Sequence, residues 1–159
     1  MADDALEQAG DVLEDVAVRV REVLSTREQV LRLDADPALW LALGEEARGS
    51  LAALVRFASA HAPRGCELLL AAARPAGRMA VAGAGRIVLR WQLALESPPG
   101  ETPGNVVPLR APARSPETLA ASPEIARLAA GFAEGGFRLD FDVLSAGREL
   151  CATLSRSPA

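Results

Sequence analysis

A two-layer α/β sandwich, with a mixed, mostly antiparallel sheet and helices on one face, is the fold this sequence predicts. Three observations carry that reading. The chain closes with a helical stretch from Ile125, a Gly135-Gly136 stop and a hairpin of two alternating strands ending at Leu154. Ile87, Leu89, Trp91, Leu93 and Leu95 alternate with Val88, Arg90, Gln92, Ala94 and Glu96, which gives a strand with one apolar face. Two further segments repeat apolar residues every three or four positions. A helix that buries only one stripe needs a sheet face to cover.

The elements follow in order. Asp3 and Asp4 are N-cap residue types, and Val12, Leu13, Val16, Val20, Val23 and Leu24 then form a helical stripe to about Ser25. Gln29 to Asp34 is short, partly alternating and β-prone, an expected edge strand. Asp36-Pro37 reads as a helix start, followed by Trp40, Leu43, Ala47, Leu51, Leu54 and Ala58 on one stripe. Gly44 and Gly49 weaken the middle of that helix, and Pro63 with Gly65 stops it. Three strands are expected next, over Glu67–Ala71, Arg78–Ala82 and Ile87–Leu95, with turns at Pro75–Gly77 and Gly83–Gly85. Six prolines between Ser97 and Ala121 break regular structure and predict a long loop. Ser122-Pro123-Glu124 caps the last helix. In the hairpin Phe137, Leu139, Phe141 and Val143 share one face, opposite Arg138, Asp140 and Asp142, and Ser145–Gly147 makes the turn. This divides the chain into an N-terminal amphipathic helix over 1–26 and one domain over 27–159, whose loop spans 97–121.

Composition excludes several classes. The chain has 159 residues and is half hydrophobic, enough for one domain with a sizeable core. Its net charge of −4 implies no broad basic surface for nucleic acid. No apolar run is long enough to span a membrane, and the acidic N-terminus is unlike a secretory signal, so a cytoplasmic protein is expected. Cys66 and Cys151 lack metal-ligand spacing and read as reduced, buried small residues. All 17 basic residues are Arg, which reflects codon bias more than chemistry.

Several motifs have a plain reading. Asp140 and Asp142 alternate with Phe and Val and read as a solvated strand face. His61, the chain's one histidine, sits at a helix end, where it reads as structural. Trp40 and Trp91 lie on apolar stripes and read as core. Gly83-Ala-Gly85-Arg-Ile-Val88 is superficially like a dinucleotide fingerprint, but a strand follows where that motif needs a helix. No catalytic residue and no metal site is assigned.

From Gln29 to Leu154 this order resembles the GHKL superfamily, and within it the ATP-binding domain of histidine kinases. Leu51 to Pro63 is similar to the family's long Asn-box helix with its terminal His-x-Pro. Leu93 to Gly100 sits where a strand runs into the family's Asp-x-Gly-x-Gly. Residues 97–121 fall at the ATP lid, and Ile125 to Gly136 matches the helix leading to the family's His-Gly-Gly, with Glu134 for the His. The resemblance implies phosphoryl transfer from ATP, with Mg, to a histidine on a partner helical domain in two-component signalling. It makes Glu96 the adenine-contact candidate, and Gly100 and Gly104 the shapers of the lid base. Taken by themselves, Glu96 reads as a surface carboxylate and the two glycines as turn residues.

The sequence also departs from that pattern. The family's acidic and Asn magnesium ligands align with Arg56 and Phe57, and its phosphate-binding glycine pair aligns with Ala121-Ser122-Pro123-Glu124. These losses resemble the degenerate ATPase-like domain of bacterial histidine phosphotransferases. That resemblance implies a nucleotide-free interaction or phosphotransfer module docking a response regulator or a kinase, and the apolar stripe of the first helix offers a docking or homodimer surface.

Overall fold

The computed structural model describes residues 6–73, 85–93, 116–144 and 149–156. The elements are β1 (Glu7–Gln8), α1 (Ala9–Thr26), β2 (Val30–Ala35), β3 (Trp40–Leu41), α2 (Glu45–His61), β4 (Glu67–Ala73), β5 (Arg86–Gln92), α3 (Pro116–Ala120), α4 (Pro123–Glu134), β6 (Phe137–Leu144) and β7 (Glu149–Arg156).

Five strands form one sheet in the order β2-β4-β5-β7-β6. Only β2 and β4 pair in parallel, with Leu31 opposite Leu68 and Leu33 opposite Leu70. The other three pairings are antiparallel, so the sheet is mixed and mostly antiparallel, as the sequence predicts. The strand pattern explains its two faces. Leu68, Leu70, Ile87, Leu89, Trp91, Leu150, Ala152 and Leu154 are buried on the face that meets the helices. On the opposite face Leu69, Ala71, Val88, Cys151 and Thr153 are half-buried, and Arg90 pairs with Glu149 at 2.9 Å. β2 is an edge strand, as expected from its weak alternation.

The stripe on α1 is spent inside this core. Val12, Leu13, Val16, Val20 and Leu24 are buried, while Val18 is 58% exposed. The surface that sequence reading offers for docking or dimer formation through the first helix is therefore packed against the chain's own α2 and β2. Its start also differs: the helix begins at Ala9 with Gln8 as N-cap, and Asp3 and Asp4 lie outside the described residues. Its end is a left-handed cap. The amide of Gln29 donates to Leu24 O and that of Glu28 to Ser25 O, with Glu28 at φ 55°.

Asp36-Pro37 does not start α2. The Asp36 carboxylate accepts from the Ala38 amide at 2.9 Å, and the Leu39 amide donates to Asp36 O, which makes a turn. Leu39, Leu41 and Leu43 are then buried in alternation, and α2 begins only at Glu45 with Gly44 as N-cap. Trp40 accordingly points outward, 47% exposed, and is not core; Trp91 is core at 1%. α2 continues through Gly49 to His61.

Within the expected 97–121 loop, residues 116–120 form the short helix α3, and Leu119 is buried. The predicted strand over Arg78–Ala82, the turns at Pro75–Gly77 and Ser145–Gly147, and residues 94–115 lie outside the described residues. β5 follows Gly85 directly, which agrees with rejecting a dinucleotide fingerprint there. The cap of α4 is as read: the Ile125 amide donates to Ser122 Oγ at 3.3 Å, and Pro123 occupies the first turn. Gly136, at φ 83°, takes the left-handed step into β6 that a side chain would strain.

Candidate functional site

Helix α2 is tied to the rest of the molecule at its C-terminal end. The last carbonyls of a helix have no partner within it. Here Gln29 supplies one: its Nε2 donates to Ser59 O at 3.1 Å, to Pro63 O at 3.0 Å and to Ala62 O at 3.4 Å. Ser59 Oγ donates back to Gln29 Oε1 at 2.5 Å, and both residues are buried. Arg27 adds a bond from Nη2 to Ala62 O at 3.1 Å. His61 packs its ring on Phe57, with centroids 4.6 Å apart. It ends the helix beside these carbonyls, consistent with a structural role.

An ion-pair network holds the side of α2 that faces α1. Arg48 reaches Glu7 at 2.8 Å and Asp15 at 3.1 Å, and its Nε donates to Leu43 O at 2.8 Å. Arg19 joins Asp15 at 3.2 Å and Glu45 at 2.7 Å. The hydrogen bond from Arg48, with Arg19 behind it, holds the Asp15 carboxyl below its ordinary range. Arg19 does the same for Glu45.

The other side of α2 faces α4 across an open groove of about 560 Å³. Ala53, Arg56, Phe57 and Ala60 form one wall, and Glu124, Arg127 and Leu128 the other. The amphipathic spacing of α2 turns Phe57 inward while Arg56, one position earlier, stays at the surface. On α4, Ser122 and Pro123 fix the helix start, so Glu124 falls in its first turn and Arg127 one turn on. Arg56 Nη2 donates to Arg19 O at 3.1 Å, so the guanidinium reaches from the groove wall toward α1. A second groove of about 440 Å³ lies between the end of α1 and β2, lined by Arg21, Glu28 and Gln29 among others.

The groove brings together Arg56, Phe57 and Glu124, the positions that sequence alignment sets at the family's magnesium and phosphate boxes. Arg127 and Leu128 were not singled out by sequence; the signal for them was their place in the first turns of a helix whose start was already read. Glu96, Gly100 and Gly104 lie outside the described residues. The chain leaves β5 at Leu93, on the sheet end that pairs with the start of β4 and so lies nearest the C-terminus of α2. Asp140 pairs with Arg138 at 3.1 Å on the strand face, as read. Cys66 and Cys151 are half-buried free thiols, and burial pushes both above the usual thiol range.

Magnesium triphosphate does not fit these walls. A magnesium ion needs oxygen ligands, and the α2 wall offers alanine, arginine and phenylalanine. Among the described residues no group of three or more His, Cys, Asp or Glu could hold a metal. A helix N-terminus binds phosphate through free N–H groups. In α4 Pro123 has none, the Ile125 amide is taken by Ser122, and Glu124 sets a carboxylate at the same place.

A mixed five-stranded sheet, helices packed on one of its faces and a groove between the long helix and the one preceding the closing hairpin define an ATPase-like fold of the histidine-kinase type. Solved structures bear this out. The catalytic domain of histidine kinase ThkA superposes with a TM-score of 0.65 at 10% identity, covering all of both chains. Acinetobacter baumannii histidine kinase AdeS gives 0.62 at 15% identity, over 96% of this chain and 66% of that one. The mycobacterial sensor histidine kinase MprB gives 0.61 at 12%, over 98% of this chain and 99% of that one. No protein-family model and no curated protein matches the sequence. Among the described residues, no helix is long and apolar enough to cross a membrane.

Proposed function

We propose that this chain is a signalling domain of the histidine-kinase type that works by docking a helical, histidine-containing domain or a response regulator, without magnesium-assisted phosphoryl transfer. One observation carries the reading: the groove between α2 and α4 presents Arg56 and Phe57 on one wall and Pro123-capped Glu124 on the other. That chemistry suits neither a magnesium ion nor a phosphate cradled by backbone amides. The choice of partners is supported by likeness in fold to the cytoplasmic segment of histidine kinase QseC and to the mycobacterial sensor histidine kinase MprB. A cytoplasmic location accords with that reading.

A second reading keeps the enzyme. Full mutual coverage with the ThkA catalytic domain favours a domain that passes the γ-phosphoryl group of ATP to a partner histidine. Glu96 would then accept from the adenine amino group, and Gly100 and Gly104 would shape the lid base. The deciding experiment incubates the protein with γ-labelled ATP, magnesium and a histidine-containing helical domain. The docking reading expects a complex by calorimetry and no label on the histidine. Labelled histidine overturns it in favour of the kinase.

A further inference from the structure

We propose that the chain forms a two-fold dimer through the free edge of β2, which pairs antiparallel with β2 of a second copy about a centre at Leu33 and joins the two sheets into one. The pairing goes beyond the reading above and is independent of what occupies the groove between α2 and α4.

β2 is the end strand of the sheet, and among the described residues only β4 pairs with it in that sheet. The amides of Val30 and Asp36 donate to Cys66 O and Ala72 O, in line with β4. Backbone groups of alternate residues in a strand point to the same side. The even-numbered residues of β2 therefore direct their N–H and C=O groups to β4, and those of Leu31, Leu33 and Ala35 point to the open edge. Such a row of groups is a template for another strand. Its side chains name the strand that fits. Leu31, Leu33 and Ala35 pack against the core but are only half-buried, so a further strand would complete their cover. Arg32 and Asp34 are exposed on the opposite face. Charges on an edge ordinarily deter pairing. Here they differ in sign and stand two residues apart, a pattern that is complementary to itself.

With Leu33 opposite Leu33, Arg32 of each copy lies opposite Asp34 of the other, and Leu31 lies opposite Ala35. The direction of the backbone groups suits this register. Leu33 with Leu33 and Leu31 with Ala35 become the hydrogen-bonded pairs, and Arg32 with Asp34 falls at the non-bonded positions, where side chains come closest. A slip of one residue would turn groups already bonded to β4 toward the second copy. A slip of two would set Arg32 against Arg32 or Asp34 against Asp34. Arg32 lies 3.8 Å from Glu67 in its own chain, with both side chains more than half exposed, so little is lost in sharing it. The groove of about 440 Å³ between α1 and β2 opens along the same edge, with Leu24 and Leu31 in its lining, which gives the second copy apolar surface to cover as well as backbone. β6, at the other end of the sheet, is less suited: it carries Asp140 and Asp142 against Arg138 alone, and Arg138 is bonded to Asp140 at 3.1 Å.

Sedimentation of the full chain over a range of concentrations tests the pairing. A reversible monomer–dimer equilibrium is expected below about 1 mM. Arg32→Asp sets acid against acid at both ends of the seam and should weaken the dimer about tenfold. Combining it with Asp34→Arg exchanges the two charges and should restore the dimer to within about threefold of the parent. Ala35→Pro removes an outward amide and leaves the bonds to β4 in place; it should weaken the dimer about a hundredfold. Circular-dichroism melts of dilute, monomeric samples that match the parent show that a loss is not one of folding. A chain that stays monomeric throughout overturns the proposal and leaves this edge to a strand of another protein. A dimer unchanged by both Arg32→Asp and Ala35→Pro overturns it in favour of a different surface. A charge exchange as weak as Arg32→Asp alone overturns the register. Species that grow beyond the dimer with concentration mark β2 pairing on β6, which does not close, and overturn the two-fold arrangement.

Discussion

Helix α2 meets α1 along one side and α4 along the other, and the two contacts are built from the same residue types put to different use. Toward α1, arginines are matched with carboxylates and with the Leu43 backbone carbonyl just ahead of α2. At the C-terminal end Gln29 and Arg27 satisfy the terminal carbonyls. Toward α4, Arg127 stands exposed beside an apolar floor, and Arg56, exposed on the facing wall, gives a guanidinium N–H to the Arg19 carbonyl of α1 without a carboxylate to match it among the described residues. Matched charges lock two elements together. Unmatched ones over a concave apolar floor remain free to meet something else.

The contrast can be broken most strongly at the cap. Gln29→Ala strips one donor group from three carbonyls and leaves Ser59 Oγ without its acceptor, all in a buried setting. Urea denaturation should show a loss of about 3 kcal/mol. Arg48→Ala, on the α1 side, leaves Glu7 and the Leu43 carbonyl unmatched; about 2 kcal/mol is expected, reduced by salt because its partners are partly exposed. Acid sharpens the same seam. Asp15 titrates below its ordinary value when folded, so its contribution is complete above about pH 4 and is lost as pH falls through the folded value. Melting temperatures of Asp15→Asn should therefore fall less steeply than those of the parent on the acid side, and the two curves should converge there. Glu28→Gly tests a third kind of joint. Glu28 holds a left-handed φ of 55° that glycine adopts without strain, and the change should add about 1 kcal/mol by thermal melt. On the groove side, Arg127→Gln should shift stability by no more than about 0.5 kcal/mol. A larger loss would mean that the groove arginines are structural after all.

Much of the architecture was legible because local signals and periodicity agreed. Ser122-Pro123 fixed the start of α4, Gly136 its end, and alternation fixed β5 and the hairpin. The start of α2 was misread because Asp36 makes the same side-chain bond to a following amide in a turn as it would at a helix cap. The alternation of Leu39, Leu41 and Leu43 was the competing signal, and burial shows that it won. α1 was legible as a helix but not as core. A stripe states that something covers it, not whether the cover is the same chain. The groove joins positions about 70 residues apart on α2 and α4. Each helix pattern marks which residues are exposed, yet pairing two exposed faces requires the tertiary fold or a family alignment.

The Gln29 cap also has a kinetic consequence. With the last carbonyls of α2 bonded to the turn that opens β2, this end of the helix cannot fray by itself. Its amides should exchange with deuterium only through opening of the whole domain. α4 is tied to α2 by packing across the groove, with no such brace among the described residues. If the two walls move relative to one another, α2 is the stationary jaw and α4 the one that travels.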